Sequence, residues 1–533
     1  MPPDHRPWLL MLADALTAGE PVVPESDEGT RPLQQKRLSI VEACITLGII
    51  LVSVGSVGWF TRGNYFFQDD FVFIKQAQRQ KSLSITYLRL PLFQHFSPVS
   101  RLGDFVLAHD FGAKYGWARA AILAMVVLAV IAFAWTIRSV VAAPWRYILV
   151  IIFGESLALV HLAGWWTAAL NIMPATILGL AAIGAYMRFR QGFGRRFGVL
   201  TVLFYGLSLF THEQSWLVFG YLALWELLLF SWPGGPIRVA GVRRWRSRDV
   251  WWVWASLSIL TGVAIANYMA FYYGEVKPRP TVAEMMQFVG ILFGQSFSPS
   301  LTGFRPLEGG VVLTGAYVFD CALVCAVIAG TSIAFRGAWR AWVVFLGGFI
   351  ANALMVGLNR VGYFGPDFGR SMYYVQAPAY LFALCLGASI ALGEYRFARP
   401  GGTRFRQPRG SCWLYRRRIL PVVAAMILLL FELGFFTSAL AQESHGMTDI
   451  MARTSREYFT HLKESLRKAG AGALVAGGVV PEGIVASAFA PFNQLSMAAS
   501  VANVRIHIVL PSVATAEVGT NGYLTPINRK PAR

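Results

Sequence analysis

Two carboxylates stand side by side in "GNYFFQDDFVFIKQAQ" (63–78), among Tyr65, Phe66, Phe67, Phe71 and Phe73. Aromatic surroundings withdraw a carboxylate from water, raise its pKa and make it a stronger base toward a hydroxyl. Neighbouring residues do not share a helix face, so Asp69 and Asp70 have separate tasks. An acid ahead of an apolar run is also a good helix N-cap. On the residues alone, capping and catalysis both stay open.

Three more polar clusters follow. "HFSPVSR" holds His95 and Arg101, with Asp104, His109 and Asp110 beyond. His95 is either a polar loop residue or a group that orients a base or binds a metal. Arg101 has the fork that suits phosphate. "FTHEQSW" places His212 and Glu213 in a short turn between two apolar runs. Such groups either face a cavity or sit on a solvated tip. "NRVGYFGPDFGRSMYY" holds Arg360, Asp367, Arg370, Tyr373 and Tyr374. Arg370 opens a helix whose N-terminal N–H groups favour anions; a plain interfacial belt is the other reading. Glu155, His161 and Asn171 are polar groups within or beside apolar runs, and Asp320 and Glu432 are single acids inside two others.

The elements that must position these residues cross a membrane. The chain has 533 residues, 55% hydrophobic and 14% charged, with mean hydropathy +0.50; soluble domains carry about 25% charged residues. Apolar runs of about 20 residues match a ~30 Å hydrocarbon core. Eleven spans are expected, over 39–60, 119–137, 146–163, 167–186, 198–211, 215–232, 250–272, 311–332, 341–358, 371–392 and 419–440. The expected fold is therefore an all-α polytopic membrane protein with a small C-terminal α/β unit.

Charge sets the orientation. Five alternate loops, at 138–146, 188–196, 238–248, 336–340 and 396–418, hold 21 Lys and Arg. The intervening turns at 164–166, 212–214 and 359–370 hold two. The positive-inside rule puts the N-terminus in the cytoplasm, and 61–118, 273–310 and 441–533 outside. All four polar clusters then share the outer side. The same rule accounts for the net charge of +19 without nucleic acid.

Residues 1–37 read as a mostly disordered cytoplasmic tail, 38–440 as the transmembrane domain with 61–118 its first external loop, and 441–533 as a small external domain. In that domain Met451, Ser455, Tyr458, Leu462 and Leu466 share one helical face, Gly470 can end the helix, and "GALVAGGVV" and "VRIHIVL" read as strands. An interfacial helix is expected at 281–294, too short to span. The five cysteines form neither a disulfide framework nor a zinc pattern. No P-loop, dinucleotide fingerprint or HExxH occurs. Arginine outnumbers lysine, and Ala and Gly are common, as in proteins of GC-rich bacteria, so the expected location is a bacterial plasma membrane.

In order and sidedness the motifs resemble those of the GT-C superfamily of integral membrane glycosyltransferases. "FFQDDF" followed by "HFSPVSRL" looks like the bacterial branch related to protein O-mannosyltransferases and arabinosyltransferases. "THEQS" is similar to that group's Ser-Lys-Glu turn, with His212 in place of Lys, and "GRSMYY" looks like its Arg-Tyr element. The resemblance covers most of 39–392 and leaves 441–533 unassigned. It implies a sugar donor on a polyprenyl phosphate and, as acceptor, an envelope glycan, lipid or protein. It further implies an inverting transfer in which Asp69, Asp70 and Glu213 are catalytic and Asp69 takes the acceptor proton. Arg370, Arg101 and Tyr373 would bind the donor phosphate; His95, His212 and Asn171 would orient the acceptor. A divalent cation, Mg2+ or Mn2+, stays open, with Asp70 and His95 as its ligands. A transporter or lipid flippase, or a non-catalytic envelope assembly protein, are the rival readings.

Overall fold

The computed structural model describes residues 31–91, 95–142, 145–230, 247–271, 278–303, 314–335, 337–397, 447–470 and 472–527. Among them, eight helices are long and apolar enough to cross a membrane: Ile40–Phe60, Tyr115–Ile137, Trp145–Ala163, Trp166–Arg190, Val250–Ala270, Gly315–Ala334, Trp339–Phe364 and Met372–Leu392. Two more expected spans are shorter helices. Arg195–Ser208 has 14 residues, less than the roughly 20 a straight crossing needs, and Trp216–Trp225 runs on through a π-helical turn to Phe230. The expected span 419–440 lies outside the described residues. The first helix begins at Arg31, within the stretch expected to be a disordered tail.

Burial sorts the bundle. In the most apolar stretch of Met372–Leu392, 83% of residues are buried, and 78% in Trp166–Arg190; in Gly315–Ala334 the share is 11% and in Ile40–Phe60 17%. The first two form the centre, and the others present apolar side chains outward, as a lipid solvent requires. Helix Trp166–Arg190 packs between Tyr115–Ile137 and Arg195–Ser208. A Cβ on Gly184 would lie 2.6 Å from Thr136 Oγ1 and 2.7 Å from Trp135, so the glycine permits that crossing. Pro174 interrupts the same helix. Its missing N–H frees the Leu170 carbonyl, and the Ser100 hydroxyl donates to that oxygen at 3.1 Å. Buried Asn171 lies 2.7 Å from the same hydroxyl. The residue expected to orient an acceptor thus ties two helices together one turn before Pro174.

One end of the bundle is basic and internally paired. Arg138 and Arg146 meet Glu42, Arg190 meets Glu226 at 2.8 Å, and Arg188 donates to Trp135 O. The other end carries the loop elements. Asp69–Gln78 and Pro98–His109 pack on each other, with Pro98 in the first turn, where its missing N–H costs nothing. Val282–Ile291 is the expected short helix, started by a Thr281–Glu284 capping box. Asp320, unpartnered on the sequence reading, accepts from Thr302 at 2.7 Å. Glu432 lies outside the described residues.

The C-terminal unit has helix Met447–Ala469, ended by Gly470 at φ 81°, and four strands: β1 (Leu474–Ala476), β2 (His507–Val509), β3 (Ala516–Val518) and β4 (Leu524–Pro526). Their order is β2-β1-β3-β4. β1 runs parallel to β2 and β3, β3 antiparallel to β4, and Val475 pairs with both Ile508 and Ala516. The two expected strands are β1 and β2. Buried Ser455, Tyr458 and Leu462 turn the expected helical face inward.

Candidate functional site

Helix Asp69–Gln78 starts with the carboxylate pair, and a third acid, Asp104, comes from the helix packed on it. All three meet consecutive residues at the start of helix Trp166–Arg190. Trp165 Nε1 donates to Asp69 Oδ1 at 3.0 Å, and Trp166 Nε1 to Asp104 Oδ1 at 2.9 Å. Thr167 donates to Asp70 Oδ1 through its N–H at 2.9 Å and its hydroxyl at 2.6 Å. The other Asp70 oxygen accepts from Phe67 N at 3.2 Å.

Asp70, 0% exposed, is thus a cap between two elements, at the positive end of a helix dipole. Asp69 keeps 8% exposure and accepts from an indole N–H. Burial raises its pKa well above the usual carboxylate range, the charges of Asp70 and Asp104 raise it further, and the Trp165 hydrogen bond pulls the other way. Burial lifts Asp70 to about 7 against its hydrogen bonds, and Asp104 to about 7 against the nearby Arg101 charge. Clustered acids cannot all ionise cheaply, so the most accessible, Asp69, is the one suited to exchange a proton with a substrate.

The residue before the pair is strained. Gln68 has φ 53° and ψ −123°, a conformation sparsely populated for a residue with a side chain. The C-terminal unit holds it there: Gln68 N donates to Ile484 O at 2.6 Å, Nε2 to Glu482 O at 3.0 Å, and Ala486 N donates to Oε1 at 3.2 Å. Ser455 Oγ reaches Phe66 O at 2.6 Å, and Phe459 lies against Phe71 with ring centres 5.6 Å apart. The C-terminal unit therefore braces the turn that precedes Asp69.

A second cluster joins two of the sequence motifs. His95 Nδ1 meets Glu213 Oε1, and Arg360 Nη2 donates to His95 Nε2. Acceptance at Nε2 puts the imidazole proton on Nδ1, so Arg360, His95 and Glu213 form a directed chain. His212 Nε2 lies 3.8 Å from the same Glu213 oxygen, while its Nδ1 accepts from Gln214 N at 3.1 Å. Burial works to raise the Glu213 pKa, but His212 and His95 outweigh it and hold it at about 2. Burial, with help from His95 and Arg360 and against Glu213, lowers His212 to about 4. The turn is fixed from below by Ser97, which donates to Thr211 O, and by Val99 N to Phe210 O at 3.3 Å.

The ligand atoms of His95, His212 and Glu213 lie within 4.8 Å of one another, close enough to gather on an ion. Their second nitrogens do not fit one. A metal-bound neutral imidazole carries a proton on its other nitrogen and needs an acceptor there. Here His95 Nε2 faces the Arg360 guanidinium and His212 Nδ1 faces a backbone N–H. Both oxygens of Asp70 already accept from protein donors. The residues present do not suit a resident cation.

The expected phosphate ligands separate. Arg101 is 1% exposed; its guanidinium donates to Leu90 O, Gln76 Oε1 and Pro91 O at 3.1, 2.7 and 2.6 Å and lies over Phe73 and Tyr87. It closes the loop before its own helix. Arg370 has a half-exposed side chain, 3.2 Å from Asp367 and 3.0 Å from Gln295 Oε1. Tyr373 stands edge-on to Trp165 at 5.5 Å and parallel to His161 at 6.2 Å, so it shares the Asp69 neighbourhood. Arg360 also interacts with Tyr373 and Tyr374. Trp165, Trp166 and Thr167 were given no site role on the sequence reading. The tandem indoles opening an apolar helix were the available signal.

No family model matches the chain, and no curated protein does. Among solved structures, the Saccharomyces cerevisiae protein O-mannosyltransferase Pmt1-Pmt2 complex bound to the sugar donor is similar over 46% of this chain, at 17% identity and TM-score 0.32; the match spans about a third (34%) of that chain's length. ArnT from Cupriavidus metallidurans bound to undecaprenyl phosphate is similar over 87% of this chain and 86% of its own, at 11% identity and TM-score 0.45. The Archaeoglobus fulgidus oligosaccharyltransferase tethered with an acceptor peptide matches 88% of this chain and 64% of its own, at 11% identity and TM-score 0.39.

Proposed function

We propose that this chain is a membrane glycosyltransferase that moves a sugar from a polyprenyl-phosphate donor to the hydroxyl of an extracytoplasmic acceptor. The observation that carries the reading is Asp69: a carboxylate of raised pKa, the least buried of the three acids, oriented by Trp165 beside Tyr373. In the proposed step Asp69 takes the acceptor proton while the acceptor oxygen bonds to the sugar C1. The C1–O bond to the phosphate breaks, and its electron pair leaves with the lipid phosphate. Arg360 and Arg370, on either side of the Gly365 break, supply positive charge to that leaving group, a term that is usually large. Inversion follows from a single displacement. Glu213 and His95 hold Arg360 in place.

The paired basic end of the bundle, with the positive-inside rule, supports placing the site outside and the N-terminus in the cytoplasm. The proposed transmembrane domain and external C-terminal domain keep the bounds given above, while the proposed cytoplasmic tail gives way to helix at Arg31. Lipid and envelope-glycan profiling of a bacterial deletion strain tests the reading. Accumulation of one polyprenyl-phosphate sugar supports it; a changed transported solute, with lipid-linked sugars at wild-type level, sinks it.

A further inference from the structure

A second polar groove is lined by Arg62, Gly63, Asn64 and Tyr65, just ahead of Asp69 in the chain. Helix Met447–Ala469 turns Arg453, Arg456 and Lys463 toward one face, at three- and four-residue spacing through Thr460. Opposite stand Arg62, just past the first span, and Lys114 and Arg119, where the next begins. Two cavities of about 390 and 490 Å³ lie between them and share Arg62 and Arg456 as walls. Among the described residues, Glu457 is the one acid lining either.

The basic side chains are placed, not merely nearby. Arg456 Nη1 donates to the Arg62 carbonyl at 2.9 Å, and Arg119 Nη2 to Gly58 O at 2.5 Å. A Cβ on Gly63 would lie 3.1 Å from Arg453 Nε, so the glycine lets that side chain rest on the backbone. Burial lowers the Lys463 pKa. Converging like charges repel, and the repulsion falls away when an anion sits among them. Trp59 and Trp117, both over half exposed, sit beside the groove at span ends, the level where indoles meet lipid headgroups. Tyr65 packs on Phe66, Tyr115 and Phe459 and walls the groove from the aspartates.

From this placement we infer that the groove between Arg62, Arg119, Arg453 and Arg456 binds a phosphate group at the membrane surface, the phosphodiester of an anionic lipid headgroup being the source nearest to hand. Guanidinium forks bind phosphate oxygens in pairs. The site stands whether or not Asp69 is a base.

Native mass spectrometry of the full chain, titrated with phosphatidylglycerol and separately with phosphatidylcholine, tests it. The wild-type protein retains phosphatidylglycerol in preference. Arg453→Gln with Arg456→Gln weakens that retention about tenfold or more, since each cation near a phosphate contributes roughly 1 kcal/mol, and leaves phosphatidylcholine unchanged. Arg62→Gln with Lys114→Gln, on the facing wall, gives the same loss if the first pair fails to fold. Displacement by inorganic phosphate identifies the phosphate group alone as the ligand; resistance to it identifies the lipid. Equal phosphatidylglycerol retention in wild type and a folded double variant overturns the site.

Discussion

Trp165 donates its indole N–H to Asp69 at 3.0 Å, and the next two residues donate to Asp104 and Asp70. Three successive side chains at one helix start thus hold three acids from two other helices. The bonds differ in what they leave exposed, and in the proposed reading that difference separates a proton-exchanging carboxylate from its supports.

The pH dependence of turnover follows from the causes acting on Asp69. Its raised pKa places the acid limb of kcat/KM well above the ordinary carboxylate range, with activity rising as Asp69 ionises. Asp104→Asn removes a charge that raises Asp69, so the limb moves to lower pH. Trp165→Phe removes the hydrogen bond that lowers it, so the limb moves to higher pH. A pH–rate profile of both variants checks the opposite signs; shifts in the same direction would count against Asp69 as the titrating group.

Asp70 is expected to behave as a cap. Asp70→Asn sets an amide where Thr167 or Phe67 donates and costs about 0.5–2 kcal/mol, the range for a lost cap. A thermal melt in detergent reads this as a lower Tm. An unchanged Tm with abolished turnover would instead make Asp70 a reacting group.

Gln68 links the C-terminal unit to the candidate site. Gln68→Gly keeps the positive φ without strain but loses the side-chain bonds to 482–486, and Gln68→Ala loses the bonds and keeps the strain. Turnover falls in both and further in the alanine variant, with kcat affected more than KM. Equal, wild-type kcat in both would show that the brace does not aim Asp69.

The second nitrogens of His95 and His212 predict indifference to chelators. Activity persists in excess EDTA and does not rise with Mg2+ or Mn2+. Loss in EDTA and recovery with Mn2+ would show that the two imidazoles rearrange to take an ion.

Much of this arrangement was legible in the chain. Long apolar runs located the eight described spans, and alternating basic loops gathered Asp69, Glu213 and Tyr373 at one end, where the structure joins their neighbours. Arg101 was not legible, because a buried loop clamp and a phosphate ligand are the same residue type with the same spacing. Nor was the Trp165–Thr167 clamp, whose donors find their acceptors 62 to 97 positions away, only when the helices pack together. Arg360 stood in a noted motif, yet its pairing with His95 is a contact across 265 residues, which no local pattern encodes.

The most direct measurement is transfer by the purified full chain, supplied with the polyprenyl-phosphate sugar that accumulates in the deletion strain. Asp69→Asn, nearly isosteric and still able to accept from Trp165, is predicted to lower kcat by about 10²–10⁴, the usual contribution of a general base, with donor affinity and Tm unchanged. Turnover of Asp69→Asn within about twofold of wild type would contradict the account, since it would leave the reaction without the base proposed for it.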